Sequence, residues 1–188
     1  KGEVLGACTD CRRLWGEFRG GRISGEDIEV ANERLVPSIG TCGVMGTAST
    51  IACMMEAMGM TVAGAATTPA VHADRIRIAE ATGKRAAEMT KGGPKPSEIM
   101  TKDALHNAIV MLQAIGGSTN GVVHLSAIAG RTATPLTLEE YDEIGRKTPV
   151  LVDLKPSGDH YMEHFHYAGG VPRLMQELKD LLKLEAKH

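Results

Sequence analysis

The stretch "PSIGTCGVMGTASTIACMMEAMGM", residues 37–60, decides how this chain is read. Between Arg34 and Asp74 the only charged side chain is Glu56, and the window from Val36 to Met55 has none, which meets the length of a membrane span. Gly40, Gly43 and Gly46, with Thr41, Thr47, Ser49 and Thr50, make it too polar and too flexible for lipid, so it reads as a segment buried inside protein. From Gly43 onward apolar side chains recur at Val44, Ala48, Ile51, Met55 and Met58, the spacing of one helical face, and Gly59 supplies a stop. A central helix is predicted here, with Cys42 at its mouth. A helix starting just after Cys42 aims unpaired N–H groups and the positive end of its dipole at the sulfur, which favours thiolate over thiol. The residues alone leave three roles open for Cys42: cluster ligand, nucleophile, or a small structural thiol packed among alanines. The flanking glycines leave space for something bulky.

The rest of the chain places that helix in a folded core. Its 188 residues suit a single domain. Hydrophobic residues make up 43% and aromatics only 3%, while Met is plentiful at 10, so the core is built from Ala, Val, Ile, Leu and Met. A formal net charge of −2 gives no electrostatic reason to expect nucleic acid or an anionic membrane as a partner. Four cysteines, at 8, 11, 42 and 53, lack the density and spacing of a secreted disulfide scaffold and fit a reducing, cytoplasmic setting. The opening "KGEVLGACTD" has neither an initiator Met nor the apolar run of a signal peptide, and the chain reads as starting partway into a larger polypeptide.

Elsewhere the punctuation is mostly helical. One helix is predicted over about residues 12–19, ended by Gly20 and Gly21. A second runs over about residues 24–35, with Ser24 as cap, Asp27 at the capping-box position and Pro37 as its stop. "TVAGAATTPAV" (61–71) reads as an irregular connection before a helix from His72 onward. Thr101 caps a helix to about Ala114, Gly116 and Gly117 break it, and Ser118 or Asn120 caps the next. "TLEE" (137–140) opens another helix, "PVLVDL" (149–154) is the best strand candidate, and a last helix follows Pro172. Helices alternating with a few short apolar runs predict a helix-rich α/β fold with few short strands.

Several further residues bear chemistry. "GGSTN" (116–120) sets Ser118, Thr119 and Asn120 at a helix start, where they serve either as a carboxylate- or hydroxyl-binding patch or as an ordinary cap. His124 lies one turn on. "CTDC" joins Cys8 and Cys11 in a C-x-x-C with no second pair and no His at metal spacing, and reads as coincidence. Cys53, among Met and Ala, reads as a structural thiol. "HYMEHFH" brings His160, Glu163 and His164 together without the H-E-x-x-H order of a zinc site, and His72 with Asp74 and Arg75 reads as a helix-start cluster.

Taken in order, "GTCGVMGTASTIACMMEAMGM", "TTPAVHADR", "IGGSTNGVVHLSAIA" and "LKPSGDHYMEHFHYAGGVPRLMQEL" resemble successive blocks of the dihydroxy-acid and phosphogluconate dehydratase family, which includes sugar-acid dehydratases. The resemblance covers essentially all of residues 1–188. It implies that the chain is a single incomplete domain, the later part of the family's large N-terminal α/β domain, with the C-terminal domain absent. It also implies a cytoplasmic hydro-lyase that converts a 2,3-dihydroxy carboxylate to a 2-keto acid, with an iron-sulfur cluster ([2Fe–2S] or [4Fe–4S]) as Lewis acid. The family's G-x-C-x-x-M-x-T-A block supplies one of three cysteine ligands, and Cys42 holds that position. The other two ligands and an Asp and modified-Lys Mg2+ site then belong upstream of Lys1, and the catalytic serine base belongs to the C-terminal domain. The resemblance further implies a homodimer or homotetramer at full length.

On substrate, "GTAST" and "LWGEFRGG" look more like the sugar-acid enzymes than the branched-chain enzyme acting on 2,3-dihydroxy-3-methylbutanoate. Two departures from the family stand out: His106 in "ALHNAI" replaces a commonly acidic residue, and the C-x-x-C at Cys8 is not a family feature. The alternative reading is a catalytically silent fragment or interaction module that lacks the remaining cluster ligands.

Overall fold

The computed structural model describes residues 5–36 and 38–186. The predicted stop at Pro37 lies outside them. Among the described residues ten helices run in order: α1 (Ala7–Arg19), α2 (Gly25–Arg34), α3 (Thr47–Ala57), α4 (Ala73–Met89), α5 (Pro96–Ile99), α6 (Lys102–Ala114), α7 (Asn120–Ala129), α8 (Leu138–Gly145), α9 (Met162–Tyr167) and α10 (Gly170–Glu177).

Local chemistry accounts for most of the starts. Ser24 Oγ accepts the Asp27 N–H while the Asp27 carboxylate accepts the Ser24 N–H, a reciprocal capping box opening α2. Thr137 and Glu140 do the same for α8. Thr101 Oγ1 accepts the Ala104 N–H at the start of α6. The first helix begins earlier than its apolar pattern predicts, because the Asp10 carboxylate accepts the Gly6 N–H at 2.7 Å and satisfies a donor of the first turn.

The core is α3 against α6. One side of that contact packs Met54 and Met58 on Leu105, Ala108, Ile109 and Leu112, with Leu125, Ala129 and Tyr141 closing it. The other packs Cys53 and Ala57 on Val110, Met111 and Ala114, covered by Phe165, Val171, Leu174 and Leu178 from the α9–α10 end of the chain. The predicted interior helix is therefore present, but it starts at Thr47, not Gly43, and its buried face is Ser49, Thr50, Cys53, Met54, Glu56 and Ala57. Ala48 is exposed and Ile51 and Met55 are half-buried. The face has turned because α3 is covered on several sides, by α6, α7 and α10, and a helix buried that broadly has no single apolar stripe.

The strand expected at 149–154 is not formed. Among the described residues the only β-pairing is an isolated bridge between Leu154 and His160. The segment's backbone groups bond to irregular partners: the Leu151 N–H donates to the Ala114 carbonyl at the end of α6, and the carbonyls of Asp153 and Leu154 accept the His160 and Gly158 N–H groups. Its β-branched composition marks a pleated, half-buried surface, and a ladder also needs a neighbouring strand. The described residues make a helix-rich fold.

Candidate functional site

The 43–46 segment climbs onto α3 by turns, pinned from both sides. The Met45 N–H donates to Lys155 at 2.7 Å, the Met162 N–H donates to the Gly43 carbonyl at 2.8 Å, and Ser49 Oγ donates to the Val44 carbonyl at 3.0 Å. These bonds hold Cys42 beside the N-cap of α3: its sulfur lies 3.8 Å from where a Cβ at Gly46 would stand. Cys42 is half-buried and lines a cleft of about 550 Å³. The floor is Gly43, Ser49 and Ala52, and the facing wall is the 65–71 connection with Arg75, Met162 and Glu163.

That wall is held by a buried carboxylate. Glu56 accepts the Gly64 N–H at 2.6 Å and the Ala66 N–H at 2.8 Å, so α3 clamps the connection that sequence alone reads as irregular. Burial pushes the Glu56 carboxyl above its usual range, and the two N–H donors offset part of that push. Thr68 Oγ1 closes the turn onto the Gly64 carbonyl, and the Arg75 guanidinium donates to the carbonyls of Ala65 and Thr68. Beyond the wall His166 meets Thr67 Oγ1 at 3.4 Å, and His72 meets the Tyr167 hydroxyl at 3.2 Å. Of the expected cluster at 72–75, Arg75 thus serves the wall, Asp74 pairs with Arg77, and His72 sits at the N-cap of α4 without a capping bond.

Gly40 does not leave room for a ligand. Its φ is +114°, and a Cβ there would lie 2.8 Å from the Ala70 Cβ, so the space is taken by the opposite wall of the cleft.

The state of the thiol differs from the expectation too. Burial first, and then the adjacent Cys8 thiol, raise the Cys42 pKa, while the N–H groups of Val44 and Cys42 itself pull it down. The positive end of α3 lies four residues beyond the position expected for it, so its pull on the sulfur falls short of the desolvation. Burial thus outweighs the local N–H donors and holds Cys42 toward its thiol form. Cys8, read with Cys11 as a coincidental pair, lies exposed in the first turn of α1, near enough to Cys42 to add to the upward push on its thiol. No spacing rule joins residues 34 apart, so only the docking of α1 reveals the pair. Cys53 is the structural thiol its neighbours indicate: wholly buried, with its pKa pushed to about 12 by burial and by Glu56.

Ser118, Thr119 and Asn120 lie on another side of α3 and do not line the Cys42 cleft. The Ser118 N–H donates to Thr50 Oγ1 at 3.0 Å, and the Asn120 amide donates to Thr47 Oγ1 at 2.7 Å, fastening α7 to the start of α3. His124 is exposed on α7. In "HYMEHFH", His164 Nδ1 accepts the Tyr161 N–H, His160 stands 3.7 Å from Asp153, and Glu163 lines the cleft. His106 Nε2 meets the Leu181 carbonyl at 3.0 Å, and Asn107 bonds Lys183 through both amide atoms, so this pair ties the C-terminal segment to α6. Among the described residues no three His, Cys, Asp or Glu side chains converge as a metal site. No helix there is long and apolar enough to cross a membrane.

Comparison with known proteins agrees with these blocks. The family model described as dihydroxy-acid/6-phosphogluconate dehydratase N-terminal matches residues 2–188. The dihydroxy-acid dehydratase of Thermodesulfovibrio yellowstonii is 42% identical over 180 residues, 96% of this chain and 33% of the relative. That of Metallosphaera sedula is 40% identical over 174 residues, 93% of this chain and 31% of the relative. That of Endomicrobium trichonymphae is 45% identical over 160 residues, 85% of this chain and 29% of the relative. The chain thus spans about a third of the length of these relatives.

Proposed function

The chain belongs to the dihydroxy-acid/6-phosphogluconate dehydratase family, and from that premise we propose that it forms part of a hydro-lyase acting on a 2,3-dihydroxy carboxylate, with a sugar acid as the preferred substrate. The observation that carries the proposal is the Cys42 sulfur at the edge of an open cleft, beside the α3 N-cap. A soft thiol donor held by backbone bonds on two sides, with free space beside it, fits an iron-sulfur cluster. Cys42 would hold that cluster, which when bound supplies Lewis acidity toward the C3 hydroxyl of the substrate. Overall the reaction removes a C2 proton and a C3 hydroxide, and the resulting enol becomes a 2-keto acid.

This chain's own residues shape the space. Glu56 and Arg75 spend their hydrogen bonds on the 64–68 backbone and so keep the far wall in place against α3. Gly40 lets that wall approach. The volume suits a small hydroxy acid. The base, the remaining cluster ligands and the Mg2+ site are assigned by resemblance to sequence outside residues 1–188, in an α/β domain and an assembly larger than this chain. Ser118, Thr119 and Asn120 stand as a secondary substrate-side patch at the α3 start, outside the Cys42 cleft, where Asn120 bonds Thr47 Oγ1. The second reading, that the 188-residue chain by itself is catalytically silent, is favoured by the lack of any three-residue ligand group among the described residues.

Anaerobic reconstitution of the complete encoded protein with Fe(II) and sulfide, followed by a 2-keto acid assay on aldonates and on 2,3-dihydroxy-3-methylbutanoate, tests the proposal. Cys42→Ser is expected to lose the cluster's visible absorbance and lower turnover by at least about a hundredfold. Normal absorbance and turnover in that variant would remove the cofactor assignment.

A further inference from the structure

The polar side chains around the Cys42 cleft differ in what they have left to offer a ligand. Ser49 Oγ donates to the Val44 carbonyl, Thr68 Oγ1 to the Gly64 carbonyl and Arg75 to the carbonyls of Ala65 and Thr68, while Thr67 Oγ1 meets His166. Each of these is occupied in holding the protein's own backbone or a neighbouring side chain. Glu163 is not. It lines the same cleft, is exposed, and makes no hydrogen bond or ion pair with any described residue. Its place is set by the backbone beside it: the Met162 N–H donates to the Gly43 carbonyl at 2.8 Å, so Glu163 and Cys42 adjoin the two ends of one hydrogen bond. Nor is Glu163 engaged at the start of α9, where the Tyr161 N–H is taken by His164 Nδ1 at 3.0 Å. The other charged group in the lining is Arg75, and its guanidinium is committed to the wall.

We propose that Glu163 selects polyhydroxylated substrates: its carboxylate accepts hydrogen bonds from the tail hydroxyls of a sugar acid lying in the Cys42 cleft. This assignment deepens the dehydratase reading above, on which it rests, by naming the residue that sets the substrate class. A carboxylate offers several acceptor sites and no donor, and a run of neighbouring hydroxyls supplies the donors it lacks. The same charge repels the substrate's own carboxylate, so the acid end turns away from α9 and the polyol tail turns toward it. With 2,3-dihydroxy-3-methylbutanoate, methyl groups would face Glu163 instead, stripping water from the carboxylate without returning a hydrogen bond. Glu163 therefore favours the polyol and penalises the branched aliphatic tail, discriminating by attraction and exclusion together. Its contact lies on the tail, away from the bonds that break, so its effect falls on binding and not on the chemical step.

The test compares the complete encoded protein, reconstituted with Fe(II), sulfide and Mg2+, with its Glu163→Leu and Glu163→Gln forms. Glu163 is exposed and unbonded, so both variants should keep the denaturation midpoint of the unaltered protein, and the isosteric Gln form guards against loss of fold. With D-gluconate and D-xylonate, Glu163→Leu is expected to raise KM at least about tenfold while kcat stays within about threefold. Glu163→Gln should lose less, because its amide oxygen still accepts, and KM for 2,3-dihydroxy-3-methylbutanoate should hold level or fall. Binding is read separately from the rise in thermal midpoint on adding D-gluconate, a rise that Glu163→Leu should lose. Equal losses on both substrate classes, a fall in kcat, or an undiminished D-gluconate shift in Glu163→Leu would overturn the assignment. So would the lack of any D-gluconate shift in the unaltered protein. A shift that depends on Glu163, found in a protein that turns over neither substrate, removes the dehydratase reading and leaves the polyol contact standing.

Discussion

Glu56 carries more of the site than its sequence context announces. It is the one charged residue in a long neutral stretch, and its carboxylate spends itself on two backbone N–H groups of the connection facing Cys42. Its folded pKa is raised above the ordinary value of 4.5, chiefly by burial. The stability contribution of a group so shifted is complete below the unfolded pKa and declines as pH rises through the folded one. Urea midpoints of the protein should therefore fall more steeply, as pH rises above the ordinary carboxylate range, than those of Glu56→Gln, which has nothing to titrate there. Equal slopes for the two proteins would place the titration elsewhere. The identity of Glu56 was legible in the sequence, but its partners were not, because Gly64 and Ala66 are chosen by how the chain turns after α3.

At the scale of elements, the glycines of "GGSTNG" illustrate how spacing leaves a motif's purpose open. Sequence reading takes the cluster as a hinge with either a carboxylate- or hydroxyl-binding patch or an ordinary helix cap. In the structure Gly117 and Gly121 set α7 directly on α3: a Cβ at Gly121 would meet Leu112 Cδ1 at 2.8 Å and both Thr50 Cγ2 and Met54 Sδ at 3.1 Å. Gly121→Ala should lower stability by about 1–3 kcal/mol through overpacking, read as a lower denaturant midpoint with an unchanged m-value. A neutral result would mean that α7 shifts without cost. The capping boxes at Ser24 and Thr137 and the Thr101 cap were legible because each is written within four residues. The strand at 149–154 was misread because a strand requires a partner, and the groups that bond this segment come from the end of α6 and from the turn at residues 158 and 160.

Across the whole molecule, burial is uneven. The contact of α3 with α6 encloses most of the large fully buried side chains, whereas α4, with seventeen residues, buries none, and its Ile76 is 75% exposed. A helix held only at its surface opens locally at little cost, while one at the centre opens only with the whole fold. Hydrogen exchange on the 188-residue chain should show α4 amides exchanging at least about a hundredfold faster than those of α6. Comparable protection in both would show α4 to be bound more tightly than its exposure indicates. The α1–α2 pair meets the segment after Cys42 at Gly6, where the missing side chain lets Val44 and Tyr161 approach.

By itself the sequence determined that the chain is helical over most of its length, where α2, α4, α6 and α8 begin, that a buried helix follows Cys42, and the family to which its blocks belong. These are local or linear properties: periodicity, caps, and the order of motifs along the chain. Only the tertiary structure decided which face of α3 is buried, that Glu56 holds the cleft wall, that the Ser118–Asn120 segment fastens α7 instead of lining the cleft, and that Cys8 lies near Cys42. Each of these depends on groups far apart in sequence whose meeting is set by how helices pack, and packing is a property of all the side chains at once.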